Sequence, residues 1–140
     1  MAFIKFKPLA PTINFRTILK KEDVVEKIKD FISNDETVSM VFKTHRDICV
    51  FTNYRIFLID RKGIRGFRKS YMTVFYKSIS SLDMSVGNID SKITLILDSG
   101  HIFKLNFMKP IPLETMYEVY KYVFDRIKVK WLRQIRELFS

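Results

Sequence analysis

The chain has 140 residues, 47% hydrophobic and 29% charged, with a net charge of +10. Its length fits one domain, and its composition is that of a globular chain rather than a disordered one. The lone cysteine, Cys49, excludes an internal disulfide, and no apolar run approaches the roughly 18 residues of a spanning helix.

The first residues, MAFIKFKPLAPTINF, lack the basic-then-apolar layout of a secretory signal. The expectation is a cytoplasmic protein. The cationic excess favours partners with negative surfaces: anionic lipid, phosphates, nucleic acid or an acidic protein. Residues 1–20 read as an extended arm, because Pro8 and Pro11 forbid a helix interior. Its apolar residues Phe3, Ile4 and Phe6 need a surface to lie on, and that makes Phe3 and Phe6 candidate interface residues.

Helical spacing begins near Lys21. Val24, Val25, Ile28, Phe31 and Ile32 form one apolar stripe, with Glu22, Asp23 and Glu26 in the turns where acids suit the helix dipole. From Thr37 the period changes to that of strands. Runs at Val38–Lys43, Ile48–Thr52, Ile56–Asp60, Tyr71–Tyr76, Ile79–Met84, Ile93–Leu97 and Ile102–Phe107 are separated by turn chemistry. Asp98-Ser99-Gly100-His101 is a hairpin signal of this kind. Seven strands at spacings near ten residues predict a mainly β, α+β fold: an antiparallel barrel or sandwich. Pro110 and Pro112 then mark the return to helix. Met116, Tyr120, Val123, Ile127, Trp131, Ile135 and Leu138 follow at steps of three or four, one continuous face. Such a helix caps the open end of a barrel, and residues 125–140 outrun it as a basic amphipathic extension.

Several spaced elements between Arg46 and Leu82 agree in order with one family. These are Arg46-Asp47, Phe51-Thr52, Arg55, Asp60, the glycines Gly63 and Gly66 in a basic turn, and Tyr76-Lys77-Ser78-Ile79. The segment resembles the bacterial pleckstrin-homology-like (PH-like) domain family over about residues 22–123. The chain departs at Thr73-Val74-Phe75 and at Ser85–Asp90, so a contact made by that second turn does not carry over. The resemblance implies a seven-stranded antiparallel barrel capped by a long C-terminal helix, here with an extra N-terminal helix, over residues 21–124. It also implies a non-enzymatic module, ring-like homo-oligomers being known among members. Lipid headgroup binding belongs to eukaryotic relatives and does not transfer with the fold.

Three sets of residues are candidate sites. Arg61, Lys62, Arg65, Arg68 and Lys69 place five cations in nine residues, around glycines that let backbone N–H groups approach an anion. The plain alternative is a solvated hairpin loop. Ile127, Trp131, Ile135 and Leu138 line the tail opposite Arg126, Lys128, Lys130, Arg133 and Arg136; this suits packing on the chain's own N-terminal helix or on a second subunit, and alternatively a membrane surface or a partner's groove. Arg46, Asp47, Arg55 and Asp60 read as structural charges that fix strand ends and register. His45, His101 and Cys49 lack metal-ligand spacing, and no catalytic motif is present. Neither a metal nor a cofactor is expected.

The function expected first is protein–protein association, with a second copy and with an unidentified protein. Binding of anionic membrane or phosphorylated ligands through residues 61–69 and the tail is the alternative. Charge-driven nucleic-acid binding ranks lower, since the aromatics fall at core positions. An anti-CRISPR-like inhibitor of a host nucleoprotein is permitted by size, but +10 is the wrong sign for nucleic-acid mimicry.

Overall fold

The computed structural model describes residues 12–62 and 68–139, without the side chains of residues 61–62, 68–69 and 130–131. Nine strands form two sheets among these residues. One sheet has the order β1-β9-β8-β7 and the other β2-β3-β4-β5-β6. The strands are β1 (Thr12–Phe15), β2 (Thr17–Leu19), β3 (Val38–Lys43), β4 (Ile48–Thr52), β5 (Arg55–Lys62), β6 (Arg68–Phe75), β7 (Ile79–Val86), β8 (Ser91–Leu97) and β9 (Ile102–Phe107). Helix α1 (Lys21–Ile28) lies between β2 and β3, and helix α2 (Leu113–Phe139) ends the chain.

All seven expected strands are present, and the fold is PH-like. Its closure differs from the expectation: the sheets form a sandwich, with no ladder joining them into a barrel among the described residues. The chain itself bridges the corners instead. At one corner β1 runs parallel to β9, and β2 pairs antiparallel with β3 directly afterwards. Between them the Arg16 N–H donates to the Lys43 carbonyl at 2.9 Å. At another corner β6 passes into β7 through a single 3-10 turn, Tyr76–Ser78.

This corrects the reading of residues 12–19 as part of a surface arm. Ile13 and Phe15 alternate with exposed Thr12 and Asn14, the two-residue period of a half-buried strand. Phe15 is fully buried and stacks on Phe42 at 4.8 Å between ring centroids, with Phe107 edge-on at 5.2 Å. Phe3 and Phe6 lie outside the described residues.

The inner faces of the two sheets share the main core with Met116, Val119 and Val123 of α2. A smaller cluster covers the outer face of the second sheet, where Val24 and Ile28 of α1 meet Val41, Val50, Phe57 and Ile59. Strand β4 therefore buries both faces, and its residues Cys49 to Phe51 read as an unbroken apolar run rather than an alternation. Helix α1 is shorter than its stripe suggests. It passes into a 3-10 turn at Lys29–Phe31, and Ile32 is already extended, because the chain must swing back into β3. In the β8–β9 hairpin Gly100 takes a φ of +89°, a conformation that side chains resist, and its N–H donates to the Leu97 carbonyl at 2.9 Å.

Candidate functional site: the corner between the β4–β5 turn and helix α2

Residues that carry the family resemblance meet at one corner of the sandwich. The β4–β5 turn is held by Thr52 and Asn53. The Thr52 hydroxyl accepts from the backbone N–H groups of Tyr54 and Arg55 at 3.2 and 3.1 Å, and donates to Glu36 Oε2 at 2.6 Å. Asn53 Oδ1 accepts from the Thr37 N–H at 2.8 Å, and its Nδ2 donates to the Asp35 carbonyl at 3.2 Å. The Tyr54 hydroxyl donates to the Asp35 carboxylate. That bond holds the Asp35 carboxyl below its usual range and pushes the Tyr54 phenol up.

Arg55 opens β5 and ties four elements together. Its Nε donates to Glu36 Oε2 at 2.8 Å and one terminal nitrogen donates to Thr73 Oγ1 at 3.0 Å. The other terminal nitrogen reaches Glu36 Oε1 at 3.1 Å and the Phe31 carbonyl. The guanidinium also lies 4.5 Å from the Phe57 ring centroid. Burial of Glu36 works against its charge. Hydrogen bonds from Arg55, Thr52 and the Ser33 N–H outweigh that and hold its carboxyl below the usual range.

A second chain of contacts runs from this turn to α2. The Tyr76 hydroxyl donates to the Thr52 carbonyl at 2.7 Å, and the ring meets Tyr122 edge-on at 6.2 Å. Ser39 Oγ donates to the Tyr122 hydroxyl at 2.9 Å. The Arg126 guanidinium then lies over the Tyr122 ring at 4.5 Å. These contacts frame a groove of about 620 Å³ between the turn, the Phe75–Lys77 segment and the distal part of α2. Half-exposed Tyr54, Phe75 and Val129 supply apolar wall; Lys77, Arg126 and Arg133 supply cations; Glu137 is the one acid among the described lining residues. Arg126 Nε is buried and has no hydrogen-bond partner among the described residues.

Helix α2 has a second apolar face. Leu113, Tyr117, Phe124, Ile135 and Leu138 are all exposed, Leu138 at 81%. With part-buried Tyr120 and Ile127 they follow steps of three and four, close to a heptad seam. On a 100° wheel this seam lies to one side of the face that buries Met116, Val119 and Val123. Val129, Leu132 and Phe139 are exposed as well. The backbone of Trp131 continues the seam; its side chain is outside the described set.

The basic turn is described only in part. Backbone pairing sets Arg61 opposite Lys69 and Lys62 opposite Arg68; Arg65 lies outside the described residues, with Gly63 and Gly66. Asp47 and Asp60 come together with Arg16 and His45 along a separate shallow depression, and the Asp47 N–H donates to Thr44 Oγ1 at 2.8 Å in the β3–β4 turn. Arg46 is in that turn. Cys49 is fully buried, and desolvation pushes its thiol far up, which fits packing better than nucleophilic chemistry. His101 is an exposed hairpin residue whose Nδ1 is 2.7 Å from Ser99 Oγ.

Sequence reasoning did not single out Glu36, Tyr122 or the groove. A signal for Glu36 existed: an arginine opening an apolar strand needs a carboxylate, and Asp35-Glu36 is the acidic pair that ends the preceding turn. No signal pointed to Tyr122, whose contact with Tyr76 spans 46 positions of sequence and depends on how α2 docks.

Two sheets of mostly antiparallel strands closed at one side by a C-terminal helix define a pleckstrin-homology-like domain. The sequence profile of the bacterial PH domain family matches residues 11–126, and the chain belongs to that family. It is 28% identical over 103 residues to the uncharacterised protein YjqA of Bacillus subtilis strain 168, which covers 70% of this chain and 80% of the relative. In fold it is similar to a pleckstrin-homology domain protein from Shewanella loihica PV-4, with a TM-score of 0.72 and 20% identity, over 79% of this chain and 96% of that one. A PH-domain-containing protein from Exiguobacterium sibiricum 255-15 gives a TM-score of 0.67 at 15% identity, over 91% of this chain and 69% of that one. No described helix is long and apolar enough to cross a membrane.

Proposed function

We propose that this chain is a non-catalytic, cytoplasmic binding module that works by protein–protein association, first of all with a second copy of itself. The observation that carries this reading is the second apolar face of α2. At 1.5 Å per residue the helix is about 40 Å long. Its proximal half is seated on the core, whereas Leu132, Ile135, Leu138 and Phe139 of the distal half meet water. An exposed stripe of this length favours association.

Charge supports an antiparallel pairing of two such helices. Residues 113–126 carry three acids and two bases, and residues 127–139 carry one acid and four bases. Parallel copies would set the two cationic ends against each other. Antiparallel copies set each against the acidic half of its partner. Register also favours it: Leu113 meets Leu138, and Phe124 meets Ile127, when the helices run in opposite directions.

Light scattering after size exclusion tests the reading. The wild type should give a mass at least twice that of the chain, and the pair Ile135→Glu with Leu138→Glu should reduce it to one chain. A wild type that stays monomeric at high concentration contradicts self-association.

The pairing of four cations across the β5–β6 hairpin, Arg61 with Lys69 and Lys62 with Arg68, favours a second reading. Like charges directly opposite repel, and a bound anion relieves this. Here the module would bind anionic lipid or a phosphorylated ligand peripherally. Sedimentation with anionic and with neutral vesicles separates this reading from the first.

A further inference from the structure

We propose that the groove between the β4–β5 turn and α2 is a docking site for a short acidic peptide segment of a partner protein, with Arg126 and Arg133 receiving its carboxylates. The inference gives a site and a chemistry to the protein partner proposed above. It does not rest on self-association, since the groove lies on the body-facing side of α2 and the seam beside it.

Arg126 Nε is buried and has no acceptor among the described residues, while the guanidinium carbon lies 4.5 Å from the Tyr122 ring centroid. A buried donor without an acceptor is unfavourable. Its position is over-determined, because Tyr122 is fixed by Ser39 and by Tyr76, and Tyr76 is fixed by Thr52. The arginine is therefore held, partly desolvated, at the wall of a cleft with donor capacity to spare. A carboxylate is the acceptor that suits its forked geometry.

Lys77 and Arg133 add cations to the lining, and Glu137 is the single acid among its described residues, so a negative segment is favoured. Tyr54, Phe75 and Val129 are about half exposed in the same cleft and offer cover to apolar side chains next to that charge. The volume of about 620 Å³ falls in the usual range for ligand pockets, roughly 300–1,000 Å³.

These cations line a concavity with aromatic walls, whereas a membrane surface is met best by a convex or flat cationic face. Glu137 in the lining also opposes a continuous run of phosphates. An extended peptide with acidic and apolar residues in alternation satisfies the cations and the aromatic walls together.

The test is fluorescence anisotropy with a labelled peptide alternating glutamate and phenylalanine, beside a counterpart with glutamine for each glutamate. Wild type should bind the acidic peptide, with the glutamine peptide at least about tenfold weaker. Arg126→Met keeps the stem that packs on Tyr122 but removes the orphaned donor. It should lose at least about tenfold in affinity while its melting temperature stays level or rises, a pairing that a purely structural arginine would not give. Arg133→Gln, at an exposed helical position, should weaken binding similarly, and it decides the matter if Arg126→Met does not fold. Lys104→Gln, at an exposed position of β9 away from the groove, should change nothing. Three results overturn the proposal: equal binding of both peptides, wild-type affinity in the arginine variants, or no binding at millimolar peptide. Uptake by phosphatidylserine vesicles that depends on Arg126, without peptide binding, overturns it too and assigns the groove to lipid. A monomeric protein that binds the acidic peptide leaves this inference standing while the self-association reading falls.

Discussion

Arg55 holds Glu36 with two bonds: Nε to Oε2 at 2.8 Å, and a terminal nitrogen to Oε1 at 3.1 Å. The Glu36 side chain is only 3% exposed, so its charge depends on this partner. Arg55→Ala should destabilise the domain by about 3–5 kcal/mol, because it strands a buried carboxylate. The double variant Arg55→Ala with Glu36→Gln should recover part of that loss. Urea unfolding of wild type, Arg55→Ala, Glu36→Gln and the double variant checks both statements, and equal stability of wild type and Arg55→Ala would show that the pair contributes nothing.

The same pair sets an acid limb. The folded Glu36 carboxyl titrates below its ordinary value of 4.5, so its contribution is present in full above that value. It is lost as pH falls through the lower folded value. The urea midpoint of wild type should therefore decline from about pH 4.5 downward, and Glu36→Gln should show a shallower decline. Parallel acid limbs in the two proteins would exclude Glu36 as a source.

Phe15 fastens residues 12–19 into the sandwich. It is fully buried among Phe42, Phe51 and Phe107. Phe15→Ala should cost about 3–5 kcal/mol, the usual range for removing a core phenylalanine. A dispensable surface arm would lose well under about 1 kcal/mol, so thermal or urea melts distinguish the two directly.

Cys49 should be silent in the native state. It is wholly enclosed, and burial disfavours its thiolate. A thiol reagent such as Ellman's should react only as fast as the domain unfolds, with a rate that climbs with urea. Prompt native-state labelling would mean that the β4 core opens readily.

The strands from β3 to β9 were legible because short apolar runs, alternating or unbroken as in β4, are bounded by turn residues there. Strand β1 shows the same alternation in Thr12-Ile13-Asn14-Phe15. It was obscured by the prolines just before it and by a partner strand roughly ninety positions downstream, for which local sequence carries no mark. Sheet closure was likewise illegible: a sandwich and a barrel share strand patterns and differ in how the corners pair. At the site, Arg55 was visible as a structural charge, but Glu36 became its partner only through the fold of the α1–β3 connection. The groove is assembled from a hairpin turn, a 3-10 turn and a distal helix, three segments no spacing rule connects. The two faces of α2 adjoin on a helical wheel, so periodicity alone merges the buried stripe with the uncovered one.

Self-association through the distal half of α2 is checked by amide hydrogen exchange over residues 129–139, followed as protein concentration is raised. An unsupported helix end exchanges quickly, whereas one buried by a second copy is protected. Protection of these amides should grow with concentration in wild type and be absent in the Ile135→Glu, Leu138→Glu pair. Rapid exchange at every concentration in wild type, identical to that of the pair, would contradict self-association.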